Sequence, residues 1–289
     1  MGNSPTNRTI KLHDGRTLGY IEYGDPKGKP VFFFHGWPGS RYSGKETDVA
    51  AKKLGVRIIS TDRPGIGLSD YQENRRLLDW PDDVEELANQ LEISKCSLMG
   101  VSGGGPYADV CAYKIPNRIY KAGIVVGLAP VDVEGNLDGI SLRGRIGWEN
   151  YHRFPFFRTV GTLGTMIQFK YIPTLGQRIA FPTRQDRKAF SEAVRNKTGE
   201  ESGINEAFRQ GIKGPREELR VYTDDWGFEL KDIKTKVYLW YGAKDKCVSL
   251  NMGKYYESQI PNSKLFIDTD GGHLARYSFE DKILKLLTT

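Results

Sequence analysis

An α/β fold, with a mostly parallel eight-stranded sheet, helices on both faces and an inserted helical cap, is predicted by three observations. Short apolar runs alternate with helically spaced segments along much of the 289-residue chain, as in repeated strand-helix units. One such run stops at a serine ringed by glycines, Gly100-Val101-Ser102-Gly103-Gly104-Gly105, and passes at once into the helical spacing of Pro106 to Tyr113. The alternation lapses from about Val131 to Trp226, a stretch rich in arginines and aromatics, and then resumes. The sheet domain is therefore assigned to residues 1–130 and 227–289, and the cap to residues 131–226.

Taken in order, Thr9–His13 and Thr17–Tyr23 alternate around Asp14-Gly15, a hairpin signal, and are expected to be two antiparallel strands. Val31-Phe32-Phe33-Phe34 is continuously apolar, as a strand covered on both faces must be. A helix is expected over Glu46–Leu54 and a fourth strand over Val56–Ser60. Asp79-Trp80-Pro81-Asp82-Asp83 opens a helix running to Leu91, with proline in its first turn and carboxylates at its positive end. The run into Ser102 is the fifth strand and Ala122–Pro130 the sixth. Beyond the cap come strands at Lys236–Gly242 and Lys264–Asp268, then a helix from about Tyr277 to Leu287. The cap aromatics Trp148, Tyr151, Phe154, Phe156, Phe157, Phe169, Tyr171 and Phe181 are expected to form mainly its own core, a few of them facing a pocket below.

Composition narrows the class of protein. With 38% hydrophobic residues the chain can bury a sizeable core. No run approaches the roughly 18 apolar residues of a membrane span, and Met1-Gly2-Asn3-Ser4-Pro5-Thr6 has no signal-peptide core, so a cytoplasmic protein without integral membrane association is expected. Met1-Gly2 with Thr6 also fits the loose N-myristoylation pattern. The net charge is +6, but 36 acidic residues are interspersed with 42 basic ones and no basic run reaches five, which argues against a nucleic-acid partner. Cys96, Cys111 and Cys247 are odd in number and widely spaced, as buried reduced thiols would be, and neither a metal nor a cofactor is expected.

Gly100-Val101-Ser102-Gly103-Gly104 matches G-x-S-x-G, in which a tight strand-to-helix turn lifts a nucleophilic serine out of the sheet edge. Acyl transfer through such a serine needs two N–H donors about 3 Å from the developing oxyanion. One follows the nucleophile and the other comes from the loop after the third strand, so they are assigned to the amides of Gly103 and Trp37. His35 shapes that loop as a structural hydrogen-bonding residue, and Asp62 braces the loop after the fourth strand. His13 falls at a hairpin tip and His152 in the cap. Asp245 and His273, like Ser102, lie just beyond the C-terminal end of a strand, where open α/β sheets gather their sites.

These motifs, with His35-Gly36-Trp37-Pro38 and Asp62-Arg63-Pro64-Gly65-Ile66-Gly67-Leu68-Ser69, resemble those of the α/β-hydrolase family in its capped serine-hydrolase branch, over nearly the whole chain outside the cap. The resemblance implies a triad of Ser102, Asp245 and His273, with Asp132 as the rival acid, since some members carry theirs after the sixth strand. It implies an ester or related acyl bond in a small, partly apolar molecule as substrate. It also leaves open a ligand receptor on the same fold, an acyltransferase or perhydrolase, and a peptidase of the proline iminopeptidase type. The last usually carries Trp after the serine, where this chain has Gly103.

Overall fold

The computed structural model describes residues 6–172, 176, 183–184, 186–187, 203–274 and 280–289. Gly2, Phe181 and Tyr277, each part of an expectation above, lie outside those residues. The strands are β1 (Arg8–Lys11), β2 (Thr17–Gly24), β3 (Lys29–Phe34), β4 (Val56–Thr61), β5 (Cys96–Val101), β6 (Ile119–Val125), β7 (Lys236–Gly242) and β8 (Ser263–Asp268). They form one eight-stranded sheet in the order β1-β2-β4-β3-β5-β6-β7-β8. The pairings of β1 with β2 and β2 with β4 are antiparallel; all the others are parallel.

The pleat sends neighbouring residues to opposite faces, and the apolar runs supply both. Phe32 and Phe34 join one core with Leu98, Ile124 and Leu239, while Val31 and Phe33 join the other with Met99, Val125 and Trp240. Each fully buried phenylalanine contributes about 1.5–3 kcal/mol by leaving water. Helices α2 (Trp80–Gln90), α3 (Gly105–Lys114) and α8 (Leu250–Gln259) supply apolar residues to the first core, and α1 (Asp48–Leu54) and α9 (Glu280–Thr288) to the second.

The expected elements differ from the observed ones at informative places. A 3-10 segment, Arg41–Thr47, precedes α1, so the α-helix starts at Asp48 rather than Glu46. β6 ends at Val125 instead of running to Pro130, because Val126 turns into the left-handed region at φ 45°. The Leu128 amide then bonds the Ser102 carbonyl at 3.0 Å, so the remaining apolar residues are a buried turn packed on the serine, not strand.

Between β6 and β7 lie α4 (Leu142–Tyr151), α5 (Pro155–Tyr171), α6 (Gly203–Ala207) and α7 (Lys213–Thr223). The aromatics there do not all form a core. Phe154, Phe156, Phe157 and Tyr171 are exposed, while the fully covered residues of α5 are Thr162 and Gln168. Gln168 is turned inward by its bonds to Arg143 and to the Gly176 carbonyl, which leaves the aromatic face outward.

Candidate active site

Because β5, β6, β7 and β8 are consecutive and parallel, their C-terminal ends share one edge of the sheet. Ser102 leaves β5 at φ 54°, a left-handed conformation that a serine occupies at a cost and that aims its side chain off the strand. The turn closes only because its neighbours are bare. A β-carbon on Gly104 would stand 2.1 Å from the Phe34 carbonyl oxygen, and one on Gly103 would stand 2.5 Å from the Tyr222 hydroxyl.

The loop after β3 lies against this turn. A β-carbon on Gly36 would be 3.2 Å from Ser102 Cβ and 3.7 Å from its Oγ, and one on Gly103 would be 3.4 Å from Trp37 Cβ. Trp37, Ser102 and Gly103 thus meet in one place. His35 is buried and its Nδ1 donates to the Gly36 carbonyl at 2.8 Å, while its Nε2 has no hydrogen-bond partner among the described residues. Burial, then the nearby Arg63 guanidinium, hold its imidazole well below the ordinary histidine range, so it stays neutral.

Asp245 and His273 come together from the loops after β7 and β8. His273 Nδ1 donates to Asp245 Oδ2 at 2.8 Å. Asp245 Oδ1 accepts the amides of Cys247 at 2.7 Å and Val248 at 3.0 Å, so the buried carboxylate is held at both oxygens. Asp186 accepts the Leu274 amide at 2.9 Å and so steadies the histidine loop from the segment between β6 and β7. The Asp245, Cys247 and His273 ligand atoms lie within 4.8 Å of one another. The His273 nitrogen that faces Asp245 is hydrogen-bonded to it.

Asp132 stands elsewhere. It lines a cavity of about 890 Å³ together with Glu134, Trp148, Asp224, Asp225 and Glu229. Tyr222 also lines that cavity, and its hydroxyl covers Gly103. Asp62 is buried in the loop after β4, where it accepts Arg41 at its backbone and guanidinium and the Leu68 amide, at 2.6–2.9 Å.

A buried charge cluster behind the β3 loop was not anticipated. Arg63 donates to Glu218 at 2.6 Å, to the His35 carbonyl at 2.6 Å, to the Gly36 carbonyl at 3.3 Å and to the Tyr222 hydroxyl at 3.2 Å. Arg75 donates to Glu218 and to the Tyr107 hydroxyl, and the hydroxyls of Tyr107 and Tyr222 each donate to Glu218 at 2.8 Å. Burial alone would push the Glu218 carboxyl up; the Arg63 and Arg75 guanidiniums more than reverse this and hold it well below the usual carboxylate range. The signal was available in the sequence: Pro215, Glu218, Leu219 and Tyr222 fall at i, i+3, i+4 and i+7, so a carboxylate sits in the inward stripe of α7.

The family model described as alpha/beta hydrolase fold matches residues 29–278. The non-heme chloroperoxidase of Streptomyces lividans is 34% identical over 138 residues, which are 46% of this chain and 50% of that protein. The chain thus matches about half the length of that relative. A 2-hydroxy-6-oxononadienedioate/2-hydroxy-6-oxononatrienedioate hydrolase of Escherichia coli K12 is 26% identical over 246 residues, covering 81% of this chain and 76% of the relative. Among solved structures, an esterase from Exiguobacterium antarcticum superposes with TM-score 0.70 at 18% identity, covering 98% of this chain and 100% of that one. No helix among the described residues is long and apolar enough to cross a membrane.

Proposed function

Since the chain belongs to the α/β-hydrolase fold family, we propose that it is a hydrolase cleaving an ester or related acyl bond of a small, partly apolar molecule through an acyl-enzyme at Ser102. The observation that carries this reading is the 2.8 Å bond from His273 Nδ1 to Asp245, on the same sheet edge as the Ser102 turn. With its Nδ1–H hydrogen-bonded to the carboxylate, His273 has a lone pair on Nε2 to take the Ser102 proton. Ser102 Oγ attacks the acyl carbon, and the carbonyl oxygen becomes an oxyanion received by the amides of Gly103 and Trp37. The imidazolium, stabilised by Asp245, returns the proton to the leaving alcohol. Water then repeats the sequence on the acyl-enzyme and frees the acid.

The test is multiple turnover of p-nitrophenyl esters by the wild type and by Ser102→Ala. The variant is expected to lose several orders of magnitude in kcat with an unchanged melting curve, since binding and the oxyanion donors alone supply only a residual rate. Near-wild-type turnover by the variant would sink the reading. A single stable labelling event in place of turnover would point to a receptor.

A second reading, transfer of the acyl group to hydrogen peroxide, is favoured by the similarity to a non-heme chloroperoxidase. The same acyl-enzyme serves both, with peroxide in place of water, and peracid formation from an ester and peroxide distinguishes them.

A further inference from the structure

The direction of the Trp37 amide is set by the carbonyl beside it. In a trans peptide the C=O and N–H of one plane point opposite ways. The bond joining Gly36 and Trp37 is trans, the Trp37–Pro38 bond being the cis one among the described residues. The Gly36 carbonyl is turned toward Arg63 Nη2 and His35 Nδ1. The Trp37 N–H must therefore point away from Arg63, which helps set the aim of that donor together with His35, whose own carbonyl Arg63 holds at 2.6 Å.

Arg63 is out of reach of bulk solvent. Its side chain is fully covered and paired with Glu218, which is also fully covered and comes from α7. The Trp37 indole independently reaches α7, donating to the Pro215 carbonyl at 2.8 Å. The Tyr222 hydroxyl has its proton on Glu218 and accepts from Arg63, so it is committed to the cluster and is not itself a donor to substrate. It also presses on the second amide-bearing residue, Gly103. Both proposed oxyanion donors are thus backed by one helix from the segment between β6 and β7.

We propose that Arg63, Glu218 and Tyr222 are positioning residues for the oxyanion site, α7 holding the Gly36–Trp37 peptide and Gly103 in the orientation that receives the transition state. The inference rests on the serine-hydrolase reading above. It deepens that reading by making the acyl-transfer step depend on a helix that carries none of the triad.

Two variants test it against the Ser102→Ala control. Arg63→Lys keeps a buried cation but cannot fork to two carbonyls and a carboxylate. Tyr222→Phe keeps the ring and deletes the hydroxyl. A donor misplaced by about 1 Å costs on the order of 100-fold, so kcat on p-nitrophenyl acetate is expected to fall about 10- to 100-fold in each, with KM within about twofold. The Ki of a trifluoromethyl ketone, whose adduct carries the oxyanion, should rise in parallel with the loss in kcat. If Ser102→Ala is inactive but both variants keep wild-type kcat and Ki, or if KM alone changes, the positioning role is overturned and the hydrolase reading stands. Unfolding of both variants would make the cluster a folding device and also overturn it. If Ser102→Ala stays active, the underlying reading falls first.

Discussion

The Tyr222 hydroxyl oxygen stands 2.5 Å from where a β-carbon on Gly103 would lie, with the ring carbon that bears it at 2.9 Å. The residue after Ser102 is therefore side-chain-free because a tyrosine from α7 already occupies its space. Gly103→Ala is expected to destabilise the protein by about 1–3 kcal/mol, the usual cost of overpacking a filled site. The double variant Gly103→Ala/Tyr222→Phe should recover part of that loss, because the nearest atom is gone. Thermal melts of the four-member cycle measure the coupling, and strictly additive losses would contradict the contact.

The acid can be assigned by paired substitutions. Asp245 is fixed by two amides and bonds His273, whereas Asp132 lines the cavity that Tyr222 also lines. Asp245→Asn preserves shape but favours the wrong imidazole tautomer, and should lower kcat by roughly 10³ to 10⁴. Asp132→Asn is expected to change kcat by less than about tenfold. Steady-state kinetics with the two effects reversed would move the acid to the loop after β6.

Stability should carry a pH signature from Asp109 on α3. Its carboxyl is fully buried beside the Tyr256 hydroxyl, whose own proton is directed to the Leu128 carbonyl at 2.6 Å. Burial pushes its pKa up to about 8. The unfolded chain releases this proton above the ordinary carboxylate value and the folded chain keeps it until about pH 8. The folded state thus binds more protons across that window, and stability falls as pH rises, by up to about 1.4 kcal/mol per pH unit. Asp109→Asn removes this dependence. Its melting temperature relative to wild type should climb between about pH 5 and pH 8, and a constant difference would refute a buried neutral carboxyl.

Much of the arrangement was legible because it depends on local signals. Glycines around Ser102, the apolar β5 and β7 runs, and the loops bearing Asp245 and His273 each show themselves within a dozen residues. The end of β6 was not legible, since Leu128 and Ala129 are as apolar as a strand and only contact with the Ser102 turn diverts them. Glu218 was missed for a different reason. Its place in the inward stripe of α7 is visible in the sequence, but its partners, Arg63 and Arg75, lie far away in sequence and only the fold closes them on it. The outward aromatics of α5 were misjudged because hydrophobicity alone does not say which side of a helix faces protein.

The Arg63–Glu218 pairing also imposes an order in time. Six of the eight strands have been synthesised by residue 125, yet the carboxylate that neutralises Arg63 is encoded 155 positions after it. A nascent chain that has not reached α7 would have to bury Arg63 and Arg75 without their counter-charge, a burial costing several kcal/mol per ion. The loop after β4 is therefore expected to stay hydrated on the ribosome and to seal only once α7 emerges. Limited proteolysis of arrested chains can follow this. Cleavage around residues 63–75 should vanish when residue 218 clears the exit tunnel, and protection at shorter lengths would contradict the order.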